Sequence, residues 1–398
     1  GLAVIAAGSS LNCADPNDPV YTAVSVGSNG FPGYSPEFSG VYSRDSYAIY
    51  AEINGDASDA FSYQAAIRYE DYSDFDSEVI GKVAGIYKLS DAVALRASFG
   101  TGFRAPTPGQ QGTTNVSTRL PAGVPINSGL FPAGGPVAAA LGASPLQPEK
   151  STQYTVGLVL SGEAVSVTVD AYVINLDDRF NAVSPSPVST TEVTQDDVDA
   201  GDANASDLVA YNNYLALAAN NVAGANTLGA VQWFTNAFDT SSKGVDVVAT
   251  MPFEFDNSSG KLTASMNYNK AEYESEVAFF SAEDKYDFLN IEPNTRWILT
   301  YNHYMGDLSL MGRLSYYGES DNSNGSVIQN LDAVTFLDLE ASYQVTEQLR
   351  VMLGGRNITD EYPEVDEIGD YCCGRIYSSG TTVDWQGAYY YGRLTFDF

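Results

Sequence analysis

A two-residue alternation of apolar and polar side chains recurs along most of this chain, in runs too long for an ordinary globular sheet. Its last stretch shows the pattern plainly. Counting back in twos from Phe398 gives Phe396, Leu394, Gly392 and Tyr390, while Asp397, Thr395 and Arg393 between them are polar. A period of two describes a strand with one apolar face and one wet face. Val93, Leu95, Ala97 and Phe99 alternate in the same way with Ala94, Arg96, Ser98 and Gly100. So do Phe61, Tyr63, Ala65, Ile67 and Tyr69 with Ser62, Gln64, Ala66, Arg68 and Glu70. The pattern predicts about thirteen strands, mostly of about 11 to 15 residues, where globular sheets use about 5 to 6. Tilted strands crossing a bilayer need about 9 to 11 residues for the hydrocarbon and more to clear the interfaces.

The connections sort by length. Short ones lie near 56–60, 90–91, 162, 256–260, 306 and 346; longer ones lie near 74–78, 105–148, 178–240, 275–293, 319–333 and 359–384. The two kinds alternate strictly. Up-and-down barrels of the outer membrane have this asymmetry, with short periplasmic turns and long extracellular loops. A propeller or a sandwich has no reason to sort its loops so. The expected fold is therefore all-β, an antiparallel up-and-down transmembrane β-barrel over residues 43–398, with residues 1–42 as an extracellular loop region. The last strand is expected over 385–398. Tyr301, His303, Tyr316, Tyr317 and Tyr389 to Tyr391 suit an interface girdle, although strand preference for Tyr explains them almost equally well.

Composition removes other classes. Lys and Arg total 19 against 50 Asp and Glu, a formal net charge of −31. Such a chain lacks the basic footprint that nucleic acid needs. No run of about 18 apolar residues exists, so no transmembrane helix is expected. Gly1 to Gly8 is apolar without a preceding basic flank, unlike a signal peptide, and a start without Met reads as a beginning inside a longer product. Cys13, Cys372 and Cys373 are an odd set with no Cys-x-x-Cys pair, and the only histidine is His303. A loop disulfide in an oxidising compartment is favoured over zinc. Neither a Ser-His-Asp arrangement nor histidine-based haem capture fits one histidine. No metal, catalytic residue or cofactor is expected.

Asp196, Asp197, Asp199, Asp202 and Asp207 cluster in the longest insertion, but they miss the calcium-loop template of Gly at six and Glu at twelve, so a solvated acidic loop is expected. Within the same insertion Ser206-Asp207 predicts a cap for a helix over 208–219, with Leu208, Tyr211, Leu215 and Ala218 on one face.

Four motifs, in order, resemble those of the TonB-dependent receptors, energised transporters of the Gram-negative outer membrane. They are Arg68-Tyr69-Glu70-Asp71-Tyr72, Phe103-Arg104-Ala105-Pro106, Leu146-Gln147-Pro148-Glu149-Lys150-Ser151, and Asn357-Ile358-Thr359-Asp360-Glu361-Tyr362. With terminal Phe398 the resemblance spans residues 43–398. It implies a barrel of 22 strands around a plug domain, of which this chain resembles the C-terminal part. It also implies energised, plug-gated import of a scarce ligand: a ferric chelate, a cobalamin or an oligosaccharide. Implied partners are TonB, reached through a segment outside this chain, the plug domain and outer-membrane lipids. A passive channel, an adhesin-like barrel and a soluble all-β glycan hydrolase are the alternatives.

Roles follow for particular residues. Arg68, Glu70 and Arg96 are expected to face the lumen or plug. Tyr390, Gly392, Leu394, Phe396 and Phe398 would form the C-terminal assembly signal. Arg104, where a strand leaves the membrane, suits loop anchoring or contact with an anionic ligand. Gln110, Arg119, Tyr211, Trp233 and Tyr317 are candidates for the ligand-facing rim, where aromatic and hydrogen-bonding groups build recognition surfaces.

Overall fold

The computed structural model describes residues 43–119, 126–369, 376–378 and 380–397, together with Ser10, Val41 and the backbone of Pro32–Gly33. Cys13, Cys372, Cys373, Phe398 and most of residues 1–42 lie outside the described residues. Thirteen strands form one sheet: β1 Ser46–Ser58, β2 Phe61–Tyr72, β3 Glu78–Ser90, β4 Val93–Arg104, β5 Glu149–Ser161, β6 Ser166–Ala182, β7 Phe234–Phe255, β8 Ser258–Tyr273, β9 Thr295–Met305, β10 Leu308–Tyr317, β11 Val334–Gln344, β12 Leu349–Arg356 and β13 Tyr389–Phe396. Each strand pairs antiparallel with the next in sequence. The expected count and order both hold. No connection at the turn end exceeds four residues, whereas residues 105–148 and 183–233 bridge strands at the other end.

Register keeps the two faces separate across the whole sheet. On one face Val83 meets Ala65 and Phe99, Val156 meets Ala97 and Ala171, and Leu299 meets Ala264 and Leu314. The same face ends on Leu353 against Gly392 and Val351 against Leu394. A one-residue slip anywhere would turn the rest of the strand over, so this continuity fixes the pairing. These side chains are uncovered: Leu394 is 74% exposed, Leu353 65% and Val156 63%. Tyr390 and Phe396 are exposed beside them. An apolar face this large suits contact with hydrocarbon rather than water.

Aromatic rings collect at both margins of that face. Toward the long connections lie Tyr47 with Tyr69, Phe99 with Tyr154, and Trp297 stacked on Tyr316. Toward the turns lie Phe61 with Tyr87, Phe253 with Tyr301, and Phe255 with His303. Two girdles result. Alternation admits only Tyr301, His303, Tyr316 and Tyr390 of the expected set. Tyr317, Tyr389 and Tyr391 point to the polar face, where the Tyr391 hydroxyl donates to Glu340 at 2.7 Å.

The buried core of the molecule lies among the long connections. Val116, Phe131, Val137, Ala138, Val183, Leu217, Val231 and Trp233 pack into one cluster. It is laid over a small sheet running 32–33, 115–119, 126–130, 228–232 and 186–187. Segments expected to be irregular thus fold together. Helix α1, Ala205–Ala219, begins earlier than predicted because Asn204 and Asp207 form a capping box. It buries Ala210 and Leu217 and leaves Leu215 44% exposed, so the predicted apolar face is one step out of phase. Three further boundaries differ from expectation. β6 and β7 run on past 177 and back to 234, with irregular pairing around Phe238. β13 starts at Tyr389 rather than 385, because Gly387 adopts φ 73 and Ala388 donates its backbone N–H to Asp360.

Candidate functional site

The sequence motifs turn out to be structural clasps on the polar face or at its rim. Glu70 accepts from both Arg68 and Tyr72. Arg44 grips Asp74 with two hydrogen bonds of 2.8 Å, donates to the Pro106 carbonyl, and lies 4.9 Å from the Phe75 ring centre. Gln111 adds a bond to Asp74 at 2.9 Å. The Arg44 guanidinium, assisted by Gln111, holds the Asp74 carboxyl below its ordinary range despite partial burial. Asn357, at φ 49, donates its backbone N–H to Asp338, which also accepts from Arg313 at 2.9 Å. Deeper on the same face Arg96 pairs with Asp170, and Asn267 donates to Asp246 at 2.6 Å. Arg68, Glu70 and Arg96 therefore lie on the polar face in ion pairs.

The mouth of this face holds the most suggestive chemistry. Arg104 pairs with Glu149, which is 5% exposed and also accepts the Phe180 backbone N–H at 2.6 Å. The charge of Glu149 is thus fully engaged from below. Arg104 itself keeps 63% of its side chain in solvent, its guanidinium 5.3 Å from the Phe180 ring centre. Arg179, half-buried, stands within 3.5 Å of Thr240 and 4.7 Å from the Phe288 ring centre. Phe288 belongs to a ring cluster with Phe238 and Tyr273. Lys150 reaches Glu78 at 3.3 Å. A cleft of about 270 Å³ joins Arg104, Glu149, Lys150 and Arg179. Arg104 and Arg179 thus lie beside aromatic rings, and Lys150 borders the same cleft, in a chain of net charge −31. Arg179 had no signal as a site residue in the sequence, and Lys150 stood there only within the Leu146–Ser151 motif. Asp178 adopts φ 56 and shifts the phase of β6, which turns Arg179 toward Thr240.

The other rim candidates are scattered. Gln110 closes a capping box with Thr107 on the short helix Pro108–Gly112. Trp233 is 1% exposed and sits inside the loop core, as scaffold. Tyr211 is half-buried on α1 beside Tyr214. The Tyr317 ring lies under Arg296, 4.5 Å from its guanidinium. Arg119 ends the strand Asn115–Arg119, and only its backbone is described.

A second group of connections is held by carboxylates. Helix α2, Ala282–Asn290, sits against the hairpin of 320–324 and 327–331. Tyr286 donates to Asp321 at 2.6 Å, Ser323 to Asp287 at 2.7 Å, and the Gly325 backbone N–H to Glu283 at 2.7 Å. The bond to Asp321 and that carboxylate's charge push the Tyr286 phenol up to about 12. In the longest insertion Asp197 and Asp207 are spent on helix caps. No group of three metal-ligating acids, histidines or cysteines forms among the described residues.

Comparison with known proteins agrees with this architecture. The family model described as "TonB dependent receptor-like, beta-barrel" matches residues 7–358. The siderophore receptor PirA from Acinetobacter baumannii superposes with TM-score 0.61 at 14% identity, over 95% of this chain and 50% of its own. A mutant of the ferric enterobactin receptor PfeA from Pseudomonas aeruginosa gives 0.60 at 14% identity, over 89% and 45%. The copper transporter OprC gives 0.58 at 15% identity, over 89% and 48%. The chain thus spans about half the length of these structures. No curated protein sequence matches significantly. Thirteen lipid-length strands in one register, with long connections at one end only, and a family match over most of its length place this chain in the TonB-dependent receptor family, as a part of its transmembrane β-barrel.

Proposed function

We propose that the chain is barrel wall and extracellular mouth of an outer-membrane receptor that imports an anionic ferric chelate by TonB-energised, plug-gated transport. The observation that carries the ligand class is the cleft of Arg104, Lys150 and Arg179, where Glu149 and Glu78 offset two of three positive charges and both guanidinium groups lie near aromatic rings. Guanidinium groups over aromatic faces suit carboxylate or catecholate oxygens on a planar ligand. A neutral oligosaccharide gains nothing from the positive charge that remains. Two of the similar structures are named as siderophore receptors, which favours the same class. The wall contributes by position: ion pairs such as Arg96–Asp170 and Arg313–Asp338 keep the polar face ordered while the opposite face meets lipid. Bond making or breaking in the ligand has no part in this reading.

The test is uptake of radiolabelled ferric chelates by cells carrying the full-length receptor, with and without TonB. Import that stops when TonB is removed supports the proposal; import that continues turns the protein into a passive channel. Arg104→Ala with Arg179→Met should weaken chelate binding about 10- to 100-fold, the loss of one to two charge-assisted contacts. Unchanged affinity in that variant would take the ligand away from this cleft.

A further inference from the structure

Basic residues avoid the apolar face of the sheet. Arg68, Lys82, Arg96, Arg104, Arg296, Arg313, Arg350 and Arg393 all fall in register with the polar face. Among the described residues of the thirteen strands, Lys150, Lys243 and Lys270 are the only ones in register with the apolar face. Lys150 leaves it to reach Glu78. Lys243 and Lys270 stay, directly opposite each other across β7 and β8.

Like charges directly opposite on one face destabilise a strand pair, so this pair needs a counter-charge. Glu272 supplies part of it, 3.4 Å from Lys243 and 3.5 Å from Lys270. Two ammonium groups against one carboxylate leave one net positive charge, and both lysines remain more than half exposed, at 53% and 58%. Six N–H donors face one carboxylate that both reach only at long range.

Position says what is missing. Lys270 is the next outward residue after Tyr268, at the long-connection margin of the apolar face. Below it run Tyr268, Met266 and Val245, exposed by 43%, 44% and 38%. A charged head above and an apolar track beneath describe an amphiphile standing upright against the wall. Free phosphate would use the lysines and ignore the track.

We infer that Lys243 and Lys270 bind the phosphate of a lipid headgroup in the leaflet on the long-connection side, its acyl chains lying along Met266 and Val245. The inference rests on the membrane-spanning reading of the apolar face and is separate from the ligand cleft.

Native mass spectrometry of the full-length receptor in detergent tests it, with bisphosphorylated lipid A, its dephosphorylated counterpart and inorganic phosphate as probes. Wild type should retain the phosphorylated lipid at least about fivefold better than the dephosphorylated one, and Lys243→Gln with Lys270→Gln should erase that preference. Inorganic phosphate should not bind. Equal retention of both lipids by wild type overturns the inference without any variant, and so does a preference that survives the double substitution. Where the double variant fails to fold, judged by heat-dependent gel mobility, Lys243→Gln alone should lower the preference. The membrane reading fails separately: if the receptor does not fractionate with outer membranes, both fall; if it does and lipid selectivity is absent, only the inference falls.

Discussion

Placing arginine at Val83 separates lipid contact from water contact at the middle of the wall. Val83 lies on β3, four residues from Val79 at one margin and four from Tyr87 at the other. Four residues are about 13 Å of strand, or about 10 Å of height at a tilt of about 40°. That puts the side chain near the centre of an apolar band about 25 Å tall. Arginine there should cost about 2–4 kcal/mol if hydrocarbon surrounds it. Val83 is 53% exposed in the bare sheet, and on a water-facing surface the same change stays within about 0.5 kcal/mol. The two outcomes differ by a factor of roughly 10 or more in the folding equilibrium. Gln64→Arg is the matched control on the polar face, where Glu52 already accepts from Gln64 at 2.7 Å and can accept from arginine instead. The assay is reversible guanidinium unfolding of the full-length protein from phospholipid vesicles, followed by tryptophan fluorescence. A Val83→Arg midpoint indistinguishable from that of Gln64→Arg would refute the lipid-facing assignment.

Three further outcomes are expected. Trp233→Ala should cost the loop core about 3–5 kcal/mol; limited proteolysis should then cut within residues 183–233 while far-UV circular dichroism of the strands stays unchanged. The Arg44–Asp74 clasp contributes stability that is present above the ordinary Asp range and lost as pH falls through the depressed Asp74 value. Thermal unfolding of wild type minus Asp74→Asn, followed from about pH 7 down to about pH 2, should show a difference that vanishes in acid. For Tyr286 the sign reverses. Its phenol is pushed up to about 12, so its contribution holds below about pH 10 and is lost as pH climbs through 12, and Tyr286→Phe should remove that alkaline step in a proteolysis assay of the α2 hairpin.

How much could be read in advance follows from what each residue faces. Strands with hydrocarbon on one side and water on the other must alternate, and Val93 to Phe99 or Leu394 to Phe396 advertise it locally. Strand order came with it, because tight turns leave a neighbour only one place to pair. The loop core sends no such signal. The strand 126–130 pairs in parallel with 228–232, about a hundred residues on, and neither segment alternates over enough positions to announce a partner. Trp233 looked like a rim aromatic for this reason, since nothing near it in sequence shows Leu217 or Val231 closing around it. The mouth was half visible. Arg104 stood out by its place before Pro106, whereas Arg179 depends on the turn of backbone at Asp178, which a periodic reading passes over. Lys243 and Lys270 were present in the alternation as interruptions of an apolar face, and became a pair only when register set them opposite each other.

The separation of the buried cluster from the strand wall means that two solvents assemble this protein. Water drives Trp233, Leu217 and Val231 together, and that knot carries its own stability. The ribbons below it wait for acyl chains to cover Val156, Leu353 and Leu394. A detergent that strips lipid from the wall should therefore leave the cap assembled, and crystals or antibodies raised against the cap would report on its shape even from a collapsed barrel.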